Sequence, residues 1–135
     1  MNRLQELTYT LGDLNFEGHT FNCLPIAGAQ SVLQVTVSDL DEMPIYMTVT
    51  DTQMLCITYL CRRNEIRADK RDELNRSMLE MNVAVPLSSF ALIEDYYVIF
   101  GALSTTSSVN DICRELVTLA ANAYDALEAI EEFLV

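Results

Sequence analysis

A chain of 135 residues is the size of a single domain and long enough to bury roughly two-thirds of the surface it exposes when unfolded. Half of its residues are apolar, 8% are aromatic and 21% are charged, a profile that excludes a disordered tail, a collagen-like fibre and a low-complexity linker. Twenty Asp and Glu against eight Lys and Arg leave a net charge of -12, which repels phosphate backbones and anionic lipid and argues against nucleic acid and membrane as partners.

Leu4, Leu7, Leu11 and Leu14 step by three and four, which predicts an amphipathic helix from Asn2 to about Leu14, frayed or ended by Gly12. From Phe21 the period changes. Leu33, Val35 and Val37 alternate with Gln34 and Thr36, the signature of a half-buried strand. Asp39 to Pro44 reads as a turn. Ile45, Met47 and Val49 then alternate with Tyr46 and Thr48, and a third run continues from Gln53 through Leu55, Ile57 and Tyr59. These three strands form an expected antiparallel meander. His19 to Pro25 adds an irregular edge strand, where Pro25 does least harm to a ladder.

At Arg62 the composition shifts, and Asp69 and Glu73 give an acidic first turn to a second helix that carries Leu74, Met78 and Met81 inward. Val83 to Leu92 and Tyr96 to Leu103 are β-rich and flank Glu94 and Asp95, a hairpin pattern in which Gly101 ends the second strand or marks a bulge. Ser104 to Ser108 is a polar linker, and Ser108 with Asp111 has capping-box spacing. Ile112, Leu116, Leu119, Ala123, Leu127, Ile130 and Leu134 then define a long last helix. A second line of Val117, Ala120, Tyr124 and Phe133 widens its stripe, so this helix is expected to lie across a sheet. With no internal repeat, residues 1–135 read as one α+β domain. Its antiparallel sheet combines a three-strand meander and a two-strand hairpin in the order α-β-β-β-α-β-β-α, with the helices packed on the sheet.

Motifs for chemistry are missing. There is no GxSxG elbow, HExxH helix, Walker phosphate loop or GxGxxG turn, so no catalytic, cofactor or metal residue is assigned. Cys23, Cys56, Cys61 and Cys113 are scattered, with no CxxC pair, and read as packing residues. His19 and Cys23 are four apart but lack the further ligands that zinc needs. Asp39, Asp41 and Glu42 lack the central Gly and distal Glu of a calcium loop and read as an acidic turn. Glu94 and Asp95, adjacent on a tight turn, point apart and stay solvated.

Charge is segregated. Arg62 to Arg76 holds six of the eight cations against four acids and nets +2, leaving -14 on the other 120 residues. One reading is an ion-paired, solvated connector; the other is a local anchor for an acidic partner or a phosphate. Arg62, Arg63, Arg67 and Arg71 are the partner-binding candidates there. On the last helix Tyr124, Leu127, Glu128 and Glu131 are the candidates for an apolar seam with an acidic outer face. The N-terminus has no charged start and greasy centre of a secretory signal, and no window reaches the length of a membrane span, so a cytoplasmic location without membrane insertion is expected.

The order of elements resembles the fold of the type III secretion chaperones and of the YbjN-like bacterial proteins. Within that group, Met43-Pro44-Ile45-Tyr46, Asp51-Thr52-Gln53-Met54 and Ala84-Val85-Pro86-Leu87-Ser88 are similar to the YjfI-type family of bacterial proteins. The resemblance implies a small, acidic, non-enzymatic interaction module, chaperone-like or regulatory, that forms a homodimer and binds a protein partner or client. It makes a phage-shock-A-like membrane-remodelling protein a candidate partner and supplies no catalytic residues. The alternative reading is a small ligand-binding protein or enzyme for an anionic substrate held by Arg62 to Arg76, with His19 as acid or base in the same pocket.

Overall fold

In a computed structural model, which describes residues 2–135, the first helix starts on a reciprocal cap. The Asn2 side chain accepts from the Gln5 N–H and the Gln5 side chain accepts from the Asn2 N–H, each at 2.9 Å, at the start of α1 (Arg3–Gly12). Leu4, Leu7 and Leu11 are buried on one stripe. Leu14 lies beyond the helix, and a tight Phe16–His19 turn with Glu17 and Gly18 at positive φ leads into the sheet.

That sheet has six strands, all pairs antiparallel: β1 (Phe21–Ile26), β2 (Val32–Val37), β3 (Ile45–Val49), β4 (Met54–Arg62), β5 (Ser89–Ile93) and β6 (Tyr96–Leu103). Their order is β1-β2-β3-β4-β6-β5. The expected irregular edge is a regular strand: β1 pairs with β2 at every residue, from Phe21 opposite Val37 to Ile26 opposite Val32, so the first meander has four strands. Pro25 is tolerated because β1 has an unpaired outer edge. The hairpin is shorter than expected. Val83 to Val85 continue the turn after α2 (Arg71–Met81), Leu87 adopts a positive φ, and the Asn82 side chain accepts from the Phe90 N–H at 2.6 Å, which starts β5 only at Ser89.

β4 also differs in phase. The residues it sends to the core are Met54, Cys56 and Thr58, not Leu55, Ile57 and Tyr59. Both phases are largely apolar, so period-two reasoning cannot separate them. A bulge between Tyr59 and Cys61 then lets Leu60 and Cys61 both be buried.

The helices share one face of the sheet. Leu7 and Leu11 of α1, Leu74 and Met78 of α2, and Ile112, Leu116 and Leu119 of α3 (Val109–Ile130) belong to one core with Val35, Ile45, Met47, Cys56 and Ile99. Ser108 caps α3 by accepting from the Asp111 N–H at 3.1 Å. After a last short turn the C-terminal residues tie down the β4–α2 connection: Arg67 N–H donates to the Phe133 carbonyl and Val135 N–H to the Glu65 carbonyl, both at 2.9 Å. Strand residues of the other parity, among them Tyr46, Ile57, Tyr59 and Phe100, take no part in that core.

Gly101, expected to end β6, lies within it opposite Cys56. A Cβ there would coincide with the Glu115 carboxylate and approach the Leu87 carbonyl at 3.2 Å, so only glycine admits the side chain that α3 lowers onto the strand. Glu115 is 4% exposed and its Oε1 has no hydrogen-bond partner. Burial pushes its carboxyl up to about 7, and its charge in turn helps raise the Cys56 thiol. Between about pH 4.5 and 7 the folded chain therefore holds a proton on Glu115 that the unfolded chain has released. Stability from this group is fully present below the unfolded value near 4.5 and falls as pH rises towards 7, by about 3 kcal/mol if the whole shift is expressed. Denaturant unfolding from pH 4.5 to 8 is expected to show Glu115→Gln losing less stability than the parent as pH rises; parallel curves would contradict a buried proton. The thiols belong to the same core. Burial pushes Cys56 up to about 12 and Cys23 and Cys61 to about 11, and raises Cys113. With Ellman's reagent at pH 8, Cys56 and Cys113 are expected to react at least about tenfold faster after unfolding, with the half-buried Cys23 leading in the native chain.

Candidate functional site

The face away from the helices carries side chains that polar alternation would not place there. β3, β4 and β6 are neighbours in the sheet, and their outward positions put Tyr46, Tyr59 and Tyr96 in a row. The Tyr46 and Tyr59 rings meet edge to face at 5.8 Å between centroids, and Tyr59 and Tyr96 at 5.2 Å. The Arg62 guanidinium lies 5.3 Å from the Tyr96 centroid and ends the row. A hollow of about 460 Å³ lies along it, lined by Tyr46, Tyr59, Ile93, Glu94 and Tyr96. Val98, opposite both Tyr59 and Ala91, is fully buried outside the helix-packed core. At the β1 edge Leu24 is 56% exposed.

Next to the row, sharing Tyr96 and Glu94, is a polar cleft of about 340 Å³ lined by Arg62, Arg63, Asn64, Arg71, Glu94, Asp95 and Tyr96. Two backbone ties shape it. Arg63 N–H donates to the Asp95 carbonyl at 2.6 Å, holding the end of β4 to the β5–β6 turn, and Arg62 N–H donates to the Glu65 carboxylate at 2.7 Å. The ion pairs among the described residues are Arg3–Glu6, Lys70–Glu73 and Arg76–Glu80, each local along the chain. Arg62, Arg63 and Arg71 have no such pair, and the Nε of Arg71 is buried with no hydrogen-bond partner. Below them the Tyr97 hydroxyl donates to Asn75 at 2.7 Å; burial raises this phenol, while the charges of Arg63 and Arg71 oppose the rise.

The eight candidates from the sequence fall in separate places. Arg62, Arg63 and Arg71 converge on the cleft. Arg67 turns to the C-terminal segment, donating from Nη2 to the Glu132 carbonyl at 2.9 Å. Tyr124 and Leu127 are half-buried against the core, and the Tyr124 hydroxyl accepts from the Glu42 N–H at 3.0 Å. Glu128 and Glu131 are exposed. Lys70 and Arg76 do form local pairs, so the connector reading of the basic window holds for those two. His19 sits in the turn before β1 and does not line the arginine cleft, so the acid–base pocket that would join them is not assembled. Among the described residues no three His, Cys, Asp or Glu side chains are grouped to hold a metal ion.

Sequence reasoning missed the tyrosine row and Glu115. Tyr46 and Tyr59 were visible as outward and inward residues of separate strands, and only the cross-strand register unites them. Glu115 was visible as a carboxylate three residues after Ile112 and four before Leu119, inside the apolar stripe.

Comparison with known proteins agrees with this architecture. A crystal structure of YbjN from E. coli superposes with a TM-score of 0.64 at 13% identity, covering 99% of this chain and 96% of that one. A chain of the heterodimeric ExoU–SpcU complex from the type III secretion system of Pseudomonas aeruginosa gives a TM-score of 0.50 at 12% identity, covering 78% of this chain and 80% of the other. In sequence, the chain is 32% identical over 114 residues to the uncharacterized protein YjfI of Escherichia coli K12, spanning 82% of this chain and 84% of that protein. Residues 2–134 match the model of the family described as an uncharacterized protein conserved in bacteria (DUF2170), and the chain therefore belongs to that family.

Proposed function

We propose that this chain is a non-enzymatic protein-interaction module, a chaperone-like or regulatory adaptor that holds a protein partner against the open face of its sheet. The observation that carries the reading is the helix-free face itself. Tyr59 and Leu24 are 42% and 56% exposed on a face whose neighbouring outward residues, Ile57, Phe100 and Ile93, are also apolar. Leaving such a row in water costs about 25 cal/mol for each Å² of apolar surface, and a partner removes that cost. The two outer edges of the sheet, β1 and β5, add backbone groups for strand addition, with the Phe90 N–H of β5 already taken by Asn82.

The fold it shares with one chain of a heterodimeric secretion-system complex is consistent with such work. A phage-shock-A-like membrane-remodelling protein is the first partner to test, as the family resemblance implies. A homodimer is the second element of the reading, since a second copy also covers apolar sheet surface. The site is cytoplasmic in this reading, and no helix among the described residues is long and apolar enough to cross a membrane. Of the α3 candidates, Glu128 and Glu131 add charge that favours a basic partner segment.

Titration calorimetry of the purified full chain with a purified phage-shock-A-like protein from the same bacterium is expected to give saturable binding. Tyr59→Asp should weaken it at least about tenfold, while Glu6→Lys, on α1 and away from the open face, stays within about twofold. Saturable binding that ignores Tyr59→Asp would exclude the sheet face as the docking surface. Light scattering on the chain alone is expected to return twice the chain mass; a monomer at every concentration would remove the dimer.

A further inference from the structure

We infer that the cleft between the end of β4, the start of α2 and the β5–β6 turn is a binding site for a dianionic phosphate group, carried by free phosphate or by a small phosphate ester. The inference stands apart from the protein-partner reading, because its anion is held by arginines that are not part of the apolar face. In a chain of net charge -12, the side chains of Arg62, Arg63 and Arg71 line one cleft of about 340 Å³ without an ion pair between them and any carboxylate. Arg3 and Arg76 pair with a glutamate along their own helices, whereas the three cleft arginines are left without a carboxylate although they lie side by side. Glu94 and Asp95 line the same cleft and still do not pair with the three arginines. The Arg71 Nε is buried without a hydrogen-bond partner, so no protein acceptor satisfies this guanidinium from behind.

The chemistry of the donors selects the ligand. A single planar arginine fork satisfies a carboxylate through two parallel hydrogen bonds. Three forks around one space match an anion with several acceptor oxygens and a double charge, the character of phosphate. Asn64 adds an amide, and the Tyr97–Asn75 hydrogen bond keeps the phenol beneath the arginines engaged as a donor elsewhere. The cleft is larger than phosphate alone needs. It opens through the shared Tyr96 and Glu94 to the hollow along the tyrosine row, which offers an aromatic surface to the organic part of an ester. Glu94 and Asp95 oppose the anion and set its affinity from the rim.

The test is a titration of the full chain, ¹⁵N-labelled, with inorganic phosphate and separately with phenyl phosphate at constant ionic strength kept with sodium chloride. Saturable shifts of the Arg62, Arg63 and Arg71 signals, backbone and side-chain N–H, are the expected result. Arg63→Gln with Arg71→Gln should weaken binding at least about tenfold, Glu94→Gln should tighten it, and Arg114→Gln, on α3 with its guanidinium over the Phe16 ring and outside the cleft, should leave it unchanged. Equal affinities for the two probes assign free phosphate, and a tighter phenyl phosphate assigns an ester with its ring on Tyr96; both support the site. Shifts that grow linearly without saturation, or that persist in the double variant, overturn it. An unchanged spectrum away from the cleft shows that each variant is folded, and Arg63→Gln alone serves if the double variant is not.

Discussion

One-sided burial governs this molecule. α1, α2 and α3 each have a single apolar stripe, and all three stripes close on the same face of one antiparallel sheet. α3 dominates because 22 residues at about 1.5 Å each give it a length of about 33 Å, enough to cross several strands. It packs against β4, β6 and β2, while α1 covers β1, β2 and β3. The central β4–β6 pair joins the first meander to the C-terminal hairpin, so the core is continuous across sequence-distant halves. The other face is left to find its own cover. An antiparallel sheet with one wet face ordinarily alternates apolar inward and polar outward, and β2 does so with Gln34 and Thr36. β4 and β6 do not, and the tyrosine row with Val98 beneath it is the result.

The same one-sidedness explains the charge on the inner side. α3 brings Glu115 onto the sheet because its position on the helix lies within the apolar stripe, and Gly101 is the strand position that leaves room. The buried carboxyl Oε1 finds no hydrogen-bond partner, so burial favours its protonated form. A protonated acid can donate where an ionised one can only accept. That makes the α3–β6 contact a part of the core whose strength varies with pH towards neutrality.

Much of the fold was legible from spacing. The Leu4–Leu11 stripe, the Leu33–Val37 alternation, the Glu94–Asp95 turn and the Ile112–Ile130 stripe each produced the element found. The misses have physical causes. β4 is apolar in both phases, so its inward set could not be read from alternation; Val83 to Val85 have strand-like side chains but sit in a turn that Asn82 and Leu87 fix. β1 is regular because pairing with β2 overrides the weak propensity of a segment containing Pro25. Of the site, the basic window was plain in the sequence, but its sorting into Arg62, Arg63 and Arg71 at a cleft, Arg67 on the C-terminal segment and Lys70 and Arg76 in local pairs depends on where the turn at the end of β4 lands. No spacing rule contains that information.

The central claim is that the sheet is covered on one side only, and exposure of its two faces can be read directly. The measurement is methyl relaxation enhancement by a soluble, uncharged paramagnetic probe on the dilute isolated chain. Leu24 and Ile57 methyls, on the open face, are expected to broaden strongly, while those of Leu33, Ile45 and Ile99 stay sharp. Loss of the Leu24 and Ile57 effect as concentration rises would show a second copy on that face. Equal protection of the two sets in dilute solution would contradict the account, because some part of the chain would then cover the face that the helices leave open.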